Sequence, residues 1–429
     1  MDLRLNVRLC LTIMLVGALA LTGAVMVLAQ ETTPEATPDD AVTPTPPPEP
    51  VSPELGQQYT VTGNTFRPEA QELTDDMLGQ IQLPEGFEIN VFARDLGNVR
   101  MMVFAPDGTL FVSRREEGDI IALFDENQDG VSDVEGVRIV ASGLDYVHGL
   151  AIRDERLYIV TDTDLYAADL QEGGQLGTPE LLVDDLPDAG QHPNRTLAFG
   201  EDGMLYITVG STCNSCDETN DENATILRMD LASMERTILA EGLRNTIGFD
   251  WHPETGELWS MDMGIDWRGD DDPPEELNHI QPDGHYGWPW CYGDAQPDVY
   301  LPMDPPGTTK EDFCPTTISP VLTYQAHASP LNFVFYTGEQ FPEEYRNDAF
   351  VTLRGSWNRY PAVGYRIVHL PFEDGEPTQF EDFMTGFLTE DGTGHYGRLA
   401  GLVIAPDGAL LVSEDENGVI YRISYTGGE

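Results

Sequence analysis

The sequence predicts an all-β chain folded as a six-bladed β-propeller, preceded by a signal or anchor segment and a disordered Pro/Thr/Glu-rich spacer. Three observations predict it. An apolar segment, a turn with Asp and Gly and a second alternating segment recur along the chain, as in MVFAPDGTLFVSRREEGDIIALFD, GLAIRDERLYIVTDTDLYAADL, LAFGEDGMLYITVG, GFDWHPETGELWSMDMG, FVFYTGEQFPEEYRNDAFVTLRG and GLVIAPDGALLVSEDENGVIYRISY. Alternation such as LYIVTD and LLVSED gives strands of period two with one buried face, and helical spacing is nearly absent. Between the turn markers Gly108, Glu155, Gly203, Gly256, Asn347 and Gly408 the steps are 47, 48, 53, 91 and 61 residues, most of them close to the length of a four-stranded blade. Six such sheets bury their faces by packing radially, which leaves only short edges. A β-sandwich pair is the rival architecture.

Taken in order, Arg4 and Arg8 precede an apolar run from Leu9 to Ala29, and residues 1–29 read as a secretory signal or a membrane anchor. Cys10 precedes that run and is misplaced for lipid attachment. Residues 30–76 form a linker whose run TPTPPPEP favours extended chain over packing. The propeller is expected over 77–429, with FEINVFARDL (Phe87 to Leu96) adding a strand to the last blade and closing the ring. The long fourth step contains DDDPPEELNHIQPDGHYGWPWCYGD and two cysteines, and reads as an insertion at one end of the axis.

The chain carries 75 acidic and 22 basic residues and a formal charge of −53, which disfavours nucleic acid or an anionic membrane surface as partner. Membrane contact is expected only through the N-terminal segment, and the location is secreted or cell-envelope. Four cysteines remain beyond Cys10. Of their three pairings, the local one, Cys213 with Cys216 and Cys291 with Cys314, is expected for an exported chain. A single CxxC does not make a zinc site, and Asp217 after it excludes haem attachment.

Propeller ligands sit over the axis, so polar residues flanking inner strands are the candidates. His192 lies before TLAF, Arg244 and Asn245 before IGFDW, His327 before SPLNFVFY and Arg398 before LAGLVIAPDG, while Gly264 follows LWSMDM and Arg354 ends FVTL. Three guanidiniums beside imidazoles would make a positive well in an acidic body, suited to a small polyanion. Spacing alone leaves open whether they instead pair with the abundant carboxylates. In DENQDGVSD, Asp125, Asn127, Asp129 and Gly130 follow the opening of an oxygen-rich calcium loop, although position twelve is Gly136, with Glu135 one place early. An acidic hairpin turn is the alternative there. No GxSxG, HExxH, Walker loop or GxGxxG after a strand is present.

From about Leu83 to Tyr425 the chain resembles the glucose/sorbosone dehydrogenase family of soluble quinoprotein propellers that use pyrroloquinoline quinone (PQQ). The residues that carry the resemblance are GLRNTIGFDWHPETGELW, GHYGWPWC, FYTGEQFPEEYRNDAFV, GSWNR and APDGALLVSEDENGVIYRISY, in order and at matching spacing. The resemblance implies His192 as catalytic base, with Gln191 where glucose-oxidising members have Asp. It implies Arg244 and Asn245 as quinone ligands, with Arg244 also stabilising charge on the quinone. Arg354 stands near a lysine of those members, Arg398 survives from an arginine pair whose other place is Ala400, and His327 lines the same pocket. The carbonyls of Gly264 and Ile265 would hold the cofactor's Ca2+. The implied activity is hydride transfer from a sugar, sugar-derived aldehyde or alcohol to PQQ, with an external electron acceptor. A calcium-dependent propeller lactonase and a non-catalytic extracellular binding propeller are the alternatives.

Overall fold

The computed structural model describes residues 61–188 and 190–427, and the signal or anchor segment lies outside them. Six antiparallel sheets are arranged as a six-bladed propeller. The first blade is built from Val99–Phe104, Leu110–Arg114, Asp119–Leu123 and Ile139–Ser142. The second uses Leu150–Arg153, Arg156–Val160, Leu165–Gln171 and Glu180–Val183. The third comprises Leu197–Phe199, Leu205–Val209, Thr225–Asp230 and Glu235–Glu241. The fourth has Thr246–Trp251, Leu258–Asp262, Glu275–Ile280 and Leu322–Tyr324. The fifth has Pro330–Phe335, Ala349–Leu353, Arg366–Leu370 and Glu381–Met384.

The sixth blade joins Leu399–Ile404, Leu410–Glu414 and Val419–Tyr425 to the early strand Phe87–Ala93, so the two ends of the ring are hydrogen-bonded together as expected. The closing register pairs Phe87 with Tyr425, Ile89 with Ile423 and Val91 with Tyr421. Phe87 anchors it: its ring meets Phe341, Tyr345, Phe383 and Tyr425 at centroid distances of 4.7, 5.2, 5.1 and 5.1 Å, all edge to face. At the axis the first strands approach closely where side chains vanish. A Cβ on Gly401 would lie 2.3 Å from the Arg100 carbonyl, and one on Gly248 would lie 2.5 Å from the Phe333 amide.

Within an up-and-down blade, the turns between strands one and two and between three and four lie at one end of the axis. The other connections lie at the opposite end, and that end carries the site. The Asp125 loop joins strands three and four of the first blade and so lies on the far end.

The fourth-step insertion is two separate features. The EELNHI portion is a regular third strand, Glu275–Ile280. The loop 263–274 before it belongs to the site end, and the excursion 281–321 after it pairs Gly284–His285 in parallel with the outer strand of the third blade. Both expected disulfides are present, Cys213–Cys216 and Cys291–Cys314, the latter closing the excursion.

Composition places 61–76 in the spacer, yet part of this stretch lies against the propeller. Asn64 donates its amide to Asp270, Phe66 donates its amide to the Trp357 carbonyl at 3.1 Å, and Glu69–Ala70 pairs with Gly394–His395. Asn, Phe and Arg side chains with propeller partners, absent from the Thr/Pro run before them, account for the docking. Among the described residues no helix is long and apolar enough to cross a membrane.

Candidate active site

A cavity of about 330 Å³ opens over the axis at the site end. Gln191, Asn245, Arg354 and Arg398, all named from sequence, line it, and His192 lies beside Gln191. Arg100, Arg115, Asn194, Trp357 and Asp415 also line it and were not named from sequence. Four of its lining residues, Arg115, Met263, Arg354 and Asp415, are the first residue after the second strand of their blades. That shared position is the signal that would have found Arg115 and Asp415. Arg100 lies inside a strand and carried no such signal.

His192 is positioned from below. Gly210 leaves room for it, since a Cβ there would fall 2.6 Å from the His192 Cβ. Its Nδ1 lies 2.8 Å from the Ser211 carbonyl and 2.9 Å from Ser211 Oγ. Ser211 Oγ donates its own proton to the Cys213 carbonyl at 2.8 Å, so towards the ring it only accepts. Both neighbours of Nδ1 are therefore acceptors, which places the proton on Nδ1 and a lone pair on Nε2. Burial, and then the Arg244 charge, pull the His192 pKa down to about 3, so the ring is neutral at neutral pH.

Arg244 is buried, 3% exposed, and is not part of the cavity wall. Its Nε donates to the Asn214 carbonyl at 3.0 Å, and its Nη2 to Asn214 Oδ1 at 2.9 Å and to Asp266 at 3.0 Å. The buried Asp262 at the end of the neighbouring strand accepts the backbone amides of Arg244 and Asn245 at 3.0 and 2.9 Å, which fixes this turn. Glu414 does the same for the Arg398 amide at 2.8 Å. Asn245 Oδ1, Asn194 Oδ1 and Arg115 Nε are buried without a hydrogen-bond partner among the described residues.

The arginines answer the question of pairing in two ways. Arg354 forms a two-pronged pair with Asp415 at 3.0 Å on each prong, and Arg100 also binds Asp415. Arg100 further donates to Nε2 of the buried His148, at 3.2 Å from Nη2. Arg398 donates to the Gly355 carbonyl at 2.8 Å and lies over the Tyr365 ring, with no carboxylate partner among its contacts. Burial, then the neighbouring Arg354, bring its pKa down to about 10, so it stays charged. The lining carries four guanidiniums against the carboxylates of Asp415 and Glu116, a positive well in a chain of charge −53. A bare axial cation, which a lactonase would need, is ill suited to that lining.

His327 is one step removed from the cavity. Its Nε2 contacts the Gly269 carbonyl at 2.9 Å, and its Nδ1 contacts Asn358, which in turn binds Asp266, the partner of Arg244. Gly264 donates its amide to the buried Glu275 at 2.8 Å, and Glu275 also accepts the Ser329 amide at 2.9 Å, which ties the fourth blade's loop to the fifth blade. Among the described residues no donor reaches the carbonyl of Gly264 or Ile265. In the Asp125 loop the side chains fold onto their own backbone: Asp125 accepts the Asp129 and Gly130 amides at 3.1 and 2.8 Å, and Asn127 Oδ1 accepts that of Asp129. Cys213, Cys216 and Glu218 cluster, but the disulfide removes both thiolates from metal binding.

The loop closed by Cys213–Cys216 contains Asn214, the partner of Arg244, and begins at the Cys213 carbonyl that holds Ser211, the partner of His192. Replacing both cysteines by serine is expected to lower any turnover that depends on His192 by on the order of tenfold through its misplacement, while closing so short a loop contributes only about 2 kcal/mol to stability. Thermal melting and steady-state rates measured together check this.

A six-bladed propeller with a basic axial cavity and a neutral, oriented histidine beside it accords with a soluble PQQ β-propeller dehydrogenase, the class that the chain's family and relatives support. The sequence pattern of the TrAA12-like family matches residues 81–426, and the chain belongs to that family. It is 28% identical to an uncharacterized protein of Borreliella burgdorferi over 82% of this chain and 92% of that one. It is 24% identical to a pyrroloquinoline quinone-dependent sugar dehydrogenase of Hypocrea jecorina over 79% of this chain and 87% of the relative. A solved Trichoderma reesei enzyme of Carbohydrate-Active Enzymes Family AA12 superposes with a TM-score of 0.70 at 24% identity, covering 80% of this chain and 97% of that one.

Proposed function

We propose that this protein is a quinoprotein oxidoreductase that oxidises a sugar, using PQQ and Ca2+ and passing electrons to an external acceptor outside the cytoplasm. The observation that carries the reading is the four-arginine lining of the axial cavity beside a histidine whose free nitrogen is Nε2. PQQ is a planar tricarboxylate, and the partnerless Arg115 Nε and Asn245 Oδ1 fit a ligand with both acceptors and donors. The family relationship and the PQQ-dependent relative support the same class. Two disulfides suit an oxidising compartment.

Bound PQQ supplies a two-electron acceptor for the hydride leaving the substrate carbon. The chain's own part is to remove the hydroxyl proton at His192 Nε2, to hold the ring with Ser211, and to neutralise negative charge with Arg354, Arg398 and Arg115. Arg244 contributes its field from outside the cavity lining, adding to the burial that keeps His192 neutral. Asn245 would contact the cofactor directly and Gln191 the substrate side of the cavity. The carbonyls of Gly264 and Ile265 are the proposed Ca2+ ligands. Asp125, Asn127 and Asp129, at the other end of the axis, would hold only a structural ion.

The test is reconstitution: purified protein with PQQ and Ca2+ should develop a quinone absorption band and reduce a dye with aldoses. Exhaustive chelation should release the cofactor. Retention of the quinone after all Ca2+ is stripped would count against the metal assignment, and no dye reduction across an aldose panel would count against the activity.

A further inference from the structure

A second chamber of about 380 Å³ lies next to the axial cavity, and the two share Trp357 and Arg398 as lining. Its outer wall is the docked N-terminal segment, which contributes Arg67; the remaining polar lining is Tyr365, His395 and Glu416. Arg67 is exposed, with its guanidinium over the Trp357 ring at 5.2 Å. Opposite it, Arg398 has backbone partners but no carboxylate. His395 is 5% exposed, and its Nδ1 is buried without a partner among the described residues. Two guanidiniums against one carboxylate make this a positive chamber too, in a chain whose basic residues are outnumbered more than threefold by acidic ones.

Because Trp357 and Arg398 line both cavities, a ligand of more than one unit can occupy both. We infer that the chamber is a substrate subsite for a carboxylate-bearing sugar, so that the preferred substrate is an acidic oligosaccharide whose reducing-end aldose reacts while the adjoining uronic unit is held by Arg67, with Arg398, already engaged with PQQ, adding its charge from the shared wall. The inference rests on the sugar-oxidising reading above and adds the substrate class. A guanidinium fork matches a carboxylate in geometry and charge, whereas a neutral sugar offers the two cations no counter-charge.

The experiment is calorimetric titration of the full chain with a glucuronosyl-aldose disaccharide and with cellobiose as the neutral counterpart, on the parent and on Arg67→Gln. Arg67 is exposed and is not part of the axial cavity's lining, so the variant is expected to keep its fold and its turnover of neutral sugars. The acidic disaccharide should bind about tenfold more tightly than the neutral one at low salt, with the advantage shrinking as salt is added and largely lost in Arg67→Gln. Equal affinities, or a preference that Arg67→Gln retains in full, overturn the subsite. Dye reduction by the PQQ-loaded protein separates the two readings. Turnover of neutral sugars without acidic preference defeats the subsite alone. Acidic preference in binding with no dye reduction from either sugar supports the subsite while defeating the oxidoreductase activity.

Discussion

Replacing His192 by alanine is expected to lower kcat by about 10²- to 10⁴-fold, the usual worth of a positioned general base, with PQQ affinity little changed. The expectation follows from which nitrogen is free. Nδ1 is committed as donor because both of its neighbours are acceptors, and the Ser211 hydroxyl is turned away by its bond to the Cys213 carbonyl. Nε2 is then the single basic site of the ring. Because burial and Arg244 hold the ring neutral well below pH 6.5, protonation does not remove the base at neutral pH. Arg354, Arg398 and Arg115 do not depend on the imidazole for their positions, which is why binding should survive. Absorbance titration of PQQ and single-turnover reduction separate the two effects. A variant turning over at the parent rate would show that the proton leaves by another route.

The architecture was legible because a propeller repeats one decision six times: strand alternation, an Asp-Gly turn and a step near 50 residues. Even the closing strand could be read, since Phe87 to Ala93 alternates without a neighbour of its own in sequence. The site was legible where it follows that repeat. Arg244, Asn245 and Arg398 immediately precede the strands Thr246–Trp251 and Leu399–Ile404, and Arg354 immediately follows Ala349–Leu353. What escaped depends on contacts across blades. Asp415 looks like one more acidic residue in SEDEN, and only the ring places it between Arg100 and Arg354, more than 60 residues from either. His327 occupies the right blade position, but its ring is turned into the Asn358–Asp266 network, which no spacing reveals. The docking of Arg67 was hidden by the composition of the segment before it.

Asp415→Asn is expected to cost about 3–5 kcal/mol, the penalty for breaking a buried ion pair by removing one partner. Asp415 has a side chain 1% exposed and is shared by Arg100, itself 6% exposed, and Arg354, at 24%. An asparagine keeps the shape and one acceptor oxygen but removes the charge that two guanidiniums face, and these then also repel one another. Burial opposes ionisation of the Asp415 carboxyl, yet Arg100 and Arg354 outweigh it and hold the group below its ordinary value. The sign of the pH dependence follows from that direction. A carboxyl with a depressed folded pKa contributes stability that is fully present above the unfolded value, near 4, and that is lost as pH falls through the folded value. The gap in denaturation midpoint between parent and Asp415→Asn should therefore be constant from neutral pH to about pH 5 and close below pH 4. Arg398→Gln provides the contrast. That arginine has no carboxylate to strand, so its removal should leave the midpoint nearly unchanged or raised while weakening PQQ binding. If Asp415→Asn unfolded at the parent midpoint at neutral pH, the cavity's guanidiniums would be hydrated, and a bound anion would gain little from desolvated charge there.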